Sequence, residues 1–275
     1  KESTQTDYQR LNYIHAVNRE RRMKDENRVA VVTGGSRGIG KAIAIKLAKE
    51  NCDVLITYQQ DKVSADETVD TLKSLGKKAV SLQVEMSDPT AGVTICSHAL
   101  KEFGKIDILI NNAGIGSPKR FIVDSEETDW YRTINTNLNG IFRTIKAIVP
   151  HMRSRKTGNI VNISSNVTRR LAPNFGPYAV SKAGLEALTQ VLAKEEAGNG
   201  IRVNAIAPGF VDTDLLQTAF DEVGIEKAEA LLHSIPLKRL GLPSEIADMV
   251  AVLASNASSY VTGQIIYVNG GGPEG

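Results

Sequence analysis

Seven short apolar segments alternate along this chain with longer segments whose apolar residues have the spacing of helices. Strands that are apolar at nearly every residue are typical of a parallel sheet covered by helices on both faces, because neither side of such a strand meets water. No stretch between the segments has the composition of a linker. The alternation predicts a single doubly wound α/β (Rossmann) domain over residues 28–275, with a seven-stranded parallel sheet. The expected strands are residues 29–32, 54–58, 79–82, 106–110, 158–163, 201–205 and 264–268.

Composition and charge narrow the class of protein. Of the 275 residues, 41% are hydrophobic and 23% are charged, which is ordinary for a soluble globular protein. The net charge of +2 lies within residues 1–28, which hold seven Lys and Arg against five Asp and Glu. The rest of the chain has no basic stripe, so we expect no nucleic-acid partner. No apolar run approaches the roughly 18 residues of a membrane span, so we expect no membrane partner.

Residues 1–27 differ from the rest of the chain because they are polar and lack Gly and Pro. Leu11, Ile14 and Val17 recur every three residues, which would permit a short amphipathic helix. We predict a polar N-terminal arm or short helix without chemistry, as is common for chain ends. The segment has no apolar secretion signal, and its acidic residues disfavour a transit-peptide remnant. The expected location is the cytoplasm, with an organelle lumen as the alternative.

The cysteines and histidines predict neither a disulfide framework nor a metal site. Cys52 and Cys96 lie far apart and form no Cys-x-x-Cys pair, which fits two buried thiols in a reducing compartment. None of the four histidines has acidic partners at the spacing of metal ligands. We therefore predict no bound metal.

A glycine-rich turn directly after the first expected strand is the first sign of a ligand site. Residues without a Cβ let the backbone turn sharply and approach a pyrophosphate, while the following helix offers free N–H groups and a positive dipole end. The spacing is G-x-x-x-G-x-G rather than the commoner G-x-G-x-x-G, so the turn alone leaves a purely structural role open. The residues predicted to bind a dinucleotide here are Gly34, Ser36, Arg37, Gly38, Ile39 and Gly40.

Charges near the second strand favour NADP(H) over NAD(H). An NAD site usually has an acidic residue at the end of this strand, which holds the ribose 2′-OH and would repel a 2′-phosphate. Here the strand ends at Tyr58, and the first acid after it is Asp61. Arg37 has a guanidinium suited to pairing with a phosphate, although a solvated surface charge is the alternative. We predict that NADP(H) is the cofactor and that Arg37 and Tyr58 contact it.

Small and polar residues also follow the third and fourth strands, at the sheet edge where open α/β folds bind ligands. Asn111, Ala113 and Gly114 come after the fourth strand, and Glu85 comes after the third. We predict that these residues line the adenine and nicotinamide pockets.

A tyrosine and a lysine four residues apart, Tyr178 and Lys182, come after the fifth strand. On a helix they project from one face, one turn apart, and the ammonium would lower the pKa of the phenol. Standing alone, such a pair is common as surface packing. Ser165 lies upstream at the end of a strand, and alternation would point the adjacent Ser164 to the opposite face. Its spacing to the tyrosine favours Ser165 as the residue that faces the site.

Together these motifs resemble the short-chain dehydrogenase/reductase family. The likeness runs from about residue 28 to about residue 272 and leaves out the N-terminal arm. Within the family the chain most resembles β-ketoacyl-[acyl carrier protein] reductases, through residues 203–210 and 260–264. The motifs that carry the family resemblance are residues 33–40, Asn111 to Gly114, Ser165, Tyr178-x-x-x-Lys182 and Pro208-Gly209.

The resemblance implies hydride transfer from NADPH to a ketone carbonyl. Tyr178 would donate a proton to the forming alkoxide, and Ser165 would hold the carbonyl oxygen. Lys182 would also hydrogen-bond the nicotinamide ribose, and Asn137 would hold a water that links this lysine to solvent. A mere cap or kink of its helix is the alternative for Asn137. Further cofactor contacts are expected from Pro208, Gly209 and Thr213.

The resemblance further implies a 3-oxoacyl thioester substrate, on acyl carrier protein or coenzyme A, and a homotetramer. Another small alcohol, sugar or ketone is the alternative, because the arginine that many such reductases have before the sixth strand is Asn199 here. A non-catalytic NADP-binding sensor is a remote alternative, which the proton donor disfavours. Residues 166–177 and 211–236 should border the pocket. Arg169 and Arg170 could receive an anionic substrate or be solvated, whereas Arg153, Arg155 and Lys156 resemble a carrier-protein contact.

Overall fold

The computed structural model describes residues 27–214, 216–217, 230 and 232–272 of the chain. Residues 1–26 of the predicted N-terminal arm lie outside these ranges, as does most of the predicted loop 211–236.

Seven parallel strands form one sheet, in the order β3-β2-β1-β4-β5-β6-β7. The fold class predicted from the sequence is confirmed. The fourth strand begins two residues later than expected, and the sixth runs three residues further because residues 206–208 pair with the last strand. The strands are β1 (Arg28–Val32), β2 (Cys52–Tyr58), β3 (Ala79–Gln83), β4 (Ile108–Asn111), β5 (Gly158–Ile163), β6 (Ile201–Pro208) and β7 (Ile265–Val268).

Helices connect the strands and cover both faces of the sheet. One turn of π-helix, Asn135–Asn139, joins two of them, so the long helix expected before residue 153 is a single rod of three parts. The segment after β5, expected as a loop, contains one short helix. The helices bounded within the described ranges are α1 (Gly38–Lys49), α2 (Lys62–Ser74), α3 (Ala91–Phe103), α4 (Glu127–Ile134), α5 (Gly140–Arg155), α6 (Val167–Arg170), α7 (Gly176–Glu196) and α8 (Pro243–Leu253).

The hydrophobic core has two layers, one on each face of the sheet. Successive strand residues point to opposite faces, so Val32 belongs to one layer and Val31 to the other, and both are fully buried. The first layer packs the strands against α1, α2 and α8, and the second packs them against α3, α5 and α7. This double burial explains why the strands are apolar throughout. No helix in the described part of the chain is long and apolar enough to cross a membrane.

The chain reverses direction across the sheet between β1 and β4, which are neighbours although β2 and β3 lie between them in sequence. Loops that leave such neighbouring strands in opposite directions open a crevice at the carboxyl edge of the sheet. The backbone N–H of Thr33 donates to the carbonyl of Ile110 at 3.0 Å, so the segments after the two strands start side by side. The glycine turn and the segment after β4 therefore meet at this crevice.

Candidate active site

The glycine turn is braced by the segment that follows β4. The amide of Asn112 donates to the carbonyl oxygens of Thr33 at 2.9 Å and Gly34 at 3.0 Å. The Thr33 hydroxyl accepts the backbone N–H groups of Asn112 and Ala113, both at 3.0 Å. Asn112 was not among the predicted site residues, although it lies inside the motif that was singled out. Strand alternation could have identified Asn112, because it points the side chains of the neighbouring Asn111 and Asn112 to opposite sides.

Asn111, in contrast, faces the interior. Its side chain is fully buried, and its amide donates to the side-chain oxygen of Asn162 at 2.8 Å. Asn162 in turn donates to the hydroxyl of Thr189 on α7, also at 2.8 Å. The Asn111 side chain therefore points away from the crevice, and the contact of this residue with the cofactor stays a prediction. Its amide instead belongs to a polar chain that ties β4 and β5 to α7.

The beginning of α1 is open to an anion. Arg37 precedes the helix in an extended conformation, no side chain caps the helix, and its first turn has no acidic residue. Gly34 and Gly38 have φ angles of +64° and +54°, which side chains rarely adopt. A Cβ on Gly40 would lie 2.1 Å from the carbonyl oxygen of Gly34, so the helix sits against the turn at backbone distance. This cradle, which a side chain would fill, fits the pyrophosphate of a dinucleotide.

The acidic side chains near the carboxyl ends of β2 and β3 form hydrogen bonds within the chain. Tyr58 is buried at the end of the strand. Asp61 caps α2, where its carboxylate accepts from the N–H and hydroxyl of Ser64, and these hydrogen bonds lower its pKa. Glu85 accepts from Gln59 and from Ser87. Arg37 is exposed, and its positive charge makes the smallest of the contributions that lower the pKa of Asp61.

Tyr178, Lys182 and Ser165 come together at the carboxyl edge of β5. The Ser165 side chain hydrogen-bonds the phenol of Tyr178. The Lys182 ammonium is buried, donates to the carbonyl of Ile163 at 2.8 Å and lies 5.8 Å from the centre of the Tyr178 ring. Ser164 points away and donates to Glu186 at 2.7 Å, as strand alternation predicts. A serine, a tyrosine and a lysine thus share one end of the crevice.

Asn137 and Gly114 complete this end of the crevice. The Asn137 side chain accepts the N–H of Ile115 and donates to its carbonyl, both at 2.8 Å, and its amide also donates to Ser181 at 3.2 Å. A Cβ on Gly114 would lie 3.3 Å from the Asn137 oxygen and 3.5 Å from the Lys182 nitrogen. Asn137 also lies within the π-helical turn, and such turns are frequent at functional sites. Its role in water binding stays a prediction.

The loop after β6 closes the crevice against the glycine turn. The carbonyl of Pro208 accepts the N–H of Asn166 at 2.9 Å, and the N–H of Gly209 donates to Val268 at 3.0 Å. The methyl group of Thr213 would lie 3.5 Å from a Cβ on Gly38. The predicted residues of this loop therefore lie beside both Ser165 and the turn.

The pKa values of the two titratable groups move in opposite directions. Burial lowers the pKa of Lys182 to about 8, and only the charge of Glu186 opposes the fall. Tyr178 is half-buried, and desolvation of its phenol raises the pKa while the Ser165 hydrogen bond lowers it less. The predicted lowering by Lys182 is therefore wrong for the chain by itself. The ammonium points at the carbonyl of Ile163 instead of the phenol oxygen.

The basic group at the end of α5 is largely neutralised. Arg153 forms a two-pronged ion pair with the buried carboxylate of Glu196. Arg155 pairs with Asp107 at 2.7 Å, and Lys156 donates to Asn199. The predicted contact surface for an acidic carrier protein thus consists mainly of charges already paired within the chain.

Arg169 and Arg170 differ in their surroundings. The Arg169 guanidinium lies 3.9 Å from the centre of the Tyr267 ring. Arg170 lies 5.1 Å from the centre of the Phe210 ring, in the loop after β6, and partial burial lowers its pKa. It has no ion pair within the described ranges. Of the two, Arg170 is the one suited to meet an anionic substrate group.

Comparison with known proteins agrees with these features. A family profile described as enoyl-(acyl carrier protein) reductase matches residues 34–272. The 3-oxoacyl-[acyl-carrier-protein] reductase FabG of Staphylococcus epidermidis is 38% identical over 245 residues, covering 89% of this chain and 98% of that protein. Glucose 1-dehydrogenase 2 of Bacillus subtilis is also 38% identical over 245 residues, covering 89% of this chain and 94% of that protein.

Solved structures give the same family. A 7α-hydroxysteroid dehydrogenase in complex with NADH and 7-oxoglycochenodeoxycholic acid superposes with a TM-score of 0.86 at 33% identity, covering 91% of this chain and 96% of that chain. A putative short-chain alcohol dehydrogenase from Sinorhizobium meliloti gives a TM-score of 0.83 at 36% identity, covering 90% and 96%. With its crevice, its glycine turn and these relatives, the chain belongs to the short-chain dehydrogenase/reductase family of oxidoreductases that use nicotinamide dinucleotides.

Proposed function

We propose that this oxidoreductase reduces the ketone of a 3-oxoacyl thioester with NADPH and releases the 3-hydroxy product. The observation that carries the proposal is the cluster of Ser165, Tyr178 and Lys182 at the end of the crevice opposite the glycine turn. Relatives named as 3-oxoacyl-[acyl-carrier-protein] reductases support the thioester. The paired charges at the end of α5 favour coenzyme A or another small thioester over a docked carrier protein.

In this mechanism the side chains hold one oxygen atom and give it a proton. Bound NADPH supplies the hydride. Ser165 donates a hydrogen bond to the substrate carbonyl oxygen, which stabilises the charge that develops there. Tyr178 gives its proton to the same oxygen. The raised pKa of Tyr178 keeps the phenol protonated at neutral pH, which suits reduction, and Lys182 restores charge balance beside it.

A substrate panel tests the function. Purified protein with NADPH is offered acetoacetyl-CoA, ethyl acetoacetate, a small ketone and a keto-steroid, and glucose is offered with NADP⁺, while nicotinamide absorbance is followed. We expect the highest kcat/KM for acetoacetyl-CoA. Turnover of glucose alone would favour the sugar alternative. Glucose is on the panel because the chain is as similar to a glucose dehydrogenase as to a 3-oxoacyl reductase, at 38% identity to each. Cofactor binding without turnover of any compound would favour a sensor.

We also propose a preference for NADPH over NADH that depends on Arg37. The exposed guanidinium of Arg37, the residue directly before α1, can pair with the 2′-phosphate, and the acid that follows β2 is occupied as a helix cap. Replacing Arg37 with Gln should lower the ratio of kcat/KM for NADPH to that for NADH about 10- to 100-fold, the value of a charge-assisted hydrogen bond. Lys49→Gln, at the exposed far end of α1, is the matched control. A wild-type preference for NADH would contradict the assignment.

A homotetramer is proposed on the basis of exposed apolar side chains. Tyr131, Phe142 and Val191 are about half exposed on the long helices α4, α5 and α7, and Tyr260 projects fully just before β7. Large exposed apolar groups on neighbouring elements favour an interface between copies of the chain. Light scattering should give four times the chain mass of 29.7 kDa, and a monomeric mass would exclude the assembly.

A further inference from the structure

We propose that Glu186 is a positioning residue, which holds the segment 164–168 against α7 and so fixes Ser165 relative to Tyr178. The inference rests on the proposed oxidoreductase chemistry but not on which carbonyl compound is reduced. It concerns a half-buried carboxylate on the inner side of α7 that the mechanism described above does not use.

Glu186 is the common acceptor of three hydroxyl groups from three parts of the fold. Ser164 donates to it at 2.7 Å and Thr168 at 2.9 Å. The hydroxyl of Tyr267, on β7, lies 3.4 and 3.5 Å from its two oxygens and 3.1 Å from the Thr168 hydroxyl. One carboxylate therefore joins the end of β5, the short helix α6 and the last strand to α7.

Two of these donors flank Ser165 in sequence. Ser164 precedes it, and the Thr168 hydroxyl, whose single proton is shared between two acceptors, lies 2.9 Å from the Ser165 carbonyl oxygen as well as from Glu186. The Ser165 hydroxyl accepts the N–H of Val167 at 3.2 Å, so the turn itself directs this hydroxyl. Glu186 hydrogen-bonds the turn on both sides of Ser165. A shift of the carboxylate would therefore move the Ser165 hydroxyl that contacts the substrate oxygen.

Charged groups surround this carboxylate on two sides. Lys182 lies one helical turn before it on α7, and Tyr178 lies one turn earlier, so the three side chains form one stripe. From α6, the Arg169 guanidinium stacks on the ring of Tyr267. From other elements, the carbonyl of Ile163 accepts from Lys182, and the neutral Asn137 lies beside Gly114, which also adjoins Lys182. Glu186 is thus the negative group that acts on Lys182, where it opposes the lowering of the pKa by burial.

Three substitutions separate the positioning of Ser165 from the charge on Lys182. Glu186→Leu removes both, and we expect kcat to fall about 100-fold, the typical effect of displacing a catalytic group by about 1 Å. Glu186→Gln keeps the shape and one acceptor oxygen, so much of this loss should be recovered at pH 7. Thr168→Val removes one hydrogen bond to Glu186 without changing the charge. It should lower kcat with little change in KM for NADPH. Glu195→Gln, exposed on the same helix, is the matched control.

The pH dependence gives a readout that a merely structural role would not move. Lys182 is charged below its pKa of about 8 and neutral above it, so wild-type kcat/KM should fall as pH rises through that value. Without the Glu186 charge the fall should begin about one pH unit lower in Glu186→Gln, as expected for losing a nearby opposite charge. Glu195→Gln should keep the wild-type profile. The pH dependence of NADPH affinity, measured by cofactor fluorescence, should shift in the same direction without any need for turnover.

The outcomes distinguish this inference from the proposed function. If the wild type reduces any carbonyl compound but folded Glu186→Leu and Thr168→Val both keep its kcat, the positioning role is wrong. An unchanged pH profile in Glu186→Gln would remove the link to Lys182. If Glu186→Leu fails to fold, Thr168→Val and Ser164→Ala decide the question by their kcat. Absence of wild-type turnover on the whole panel would instead reject the proposed function, while the NADPH affinity profile would still test Glu186.

Discussion

Replacing Tyr178 with Phe is expected to lower kcat at least about 1,000-fold, while NADPH still binds with an affinity close to that of the wild type. The change removes one oxygen atom and keeps the ring that packs beside Lys182. General acid catalysis contributes about 10² to 10⁴ in rate, and no other O–H group in the described cluster besides Ser165 is placed to replace the phenol. Turnover is measured from nicotinamide absorbance, and binding from cofactor fluorescence.

Tyr260→Phe provides the control for this substitution, because its hydroxyl lies outside the cluster and the change keeps the ring that the proposed interface would bury. It should leave both kcat and NADPH affinity unchanged. A Tyr178→Phe variant that keeps the wild-type rate would show that the proton comes from another group. Loss of both turnover and binding would mean that the phenol supports the cofactor site rather than the proton transfer.

Gly40→Ala is expected to weaken NADPH binding more than about 100-fold and to lower the melting temperature. The new methyl group would lie 2.1 Å from the carbonyl oxygen of Gly34 and 2.5 Å from the amide of Asn112. Neither clash can be relieved by a flexible side chain alone, because the first partner is backbone and the second braces the turn. Helix α1 must therefore move away from the turn, which opens the cradle for the pyrophosphate. Fluorescence titration and thermal unfolding measure the two effects.

Gly198→Ala is the matched control, since a Cβ there meets nothing within 4 Å. It should keep both NADPH affinity and melting temperature near the wild-type values. Wild-type affinity in folded Gly40→Ala would show that the cofactor does not depend on this close approach.

The fold could be predicted because its signal is local. The five inner strands bury both faces, so the apolar pattern at residues 158–163 is enough to identify β5 to the residue. The ends of strands were less certain, because pairing with a distant strand decides how far β6 continues. The same strand end decides which of Asn111 and Asn112 points its side chain at the glycine turn. A shift of one residue along a strand reverses which side chain faces a ligand.

The electrostatics of the site could not be obtained from spacing. The separation of Tyr178 and Lys182 along the helix is fixed by sequence, but the direction of the ammonium toward Ile163 is a tertiary contact. The partner of Arg153 is Glu196, which is 43 residues away. The contacts of Glu186 are equally tertiary, since its donors come from three separate segments and no sequence motif contains them all.

Each of the two core layers supports a different part of the candidate active site, which matters for engineering. The helix that begins at the phosphate cradle is rooted in one layer, and the helix that carries Tyr178 and Lys182 is rooted in the other. Among the described residues, only the sheet is common to both layers. Coenzyme specificity and reaction chemistry can therefore be redesigned as nearly independent modules, each with its own set of supporting apolar contacts.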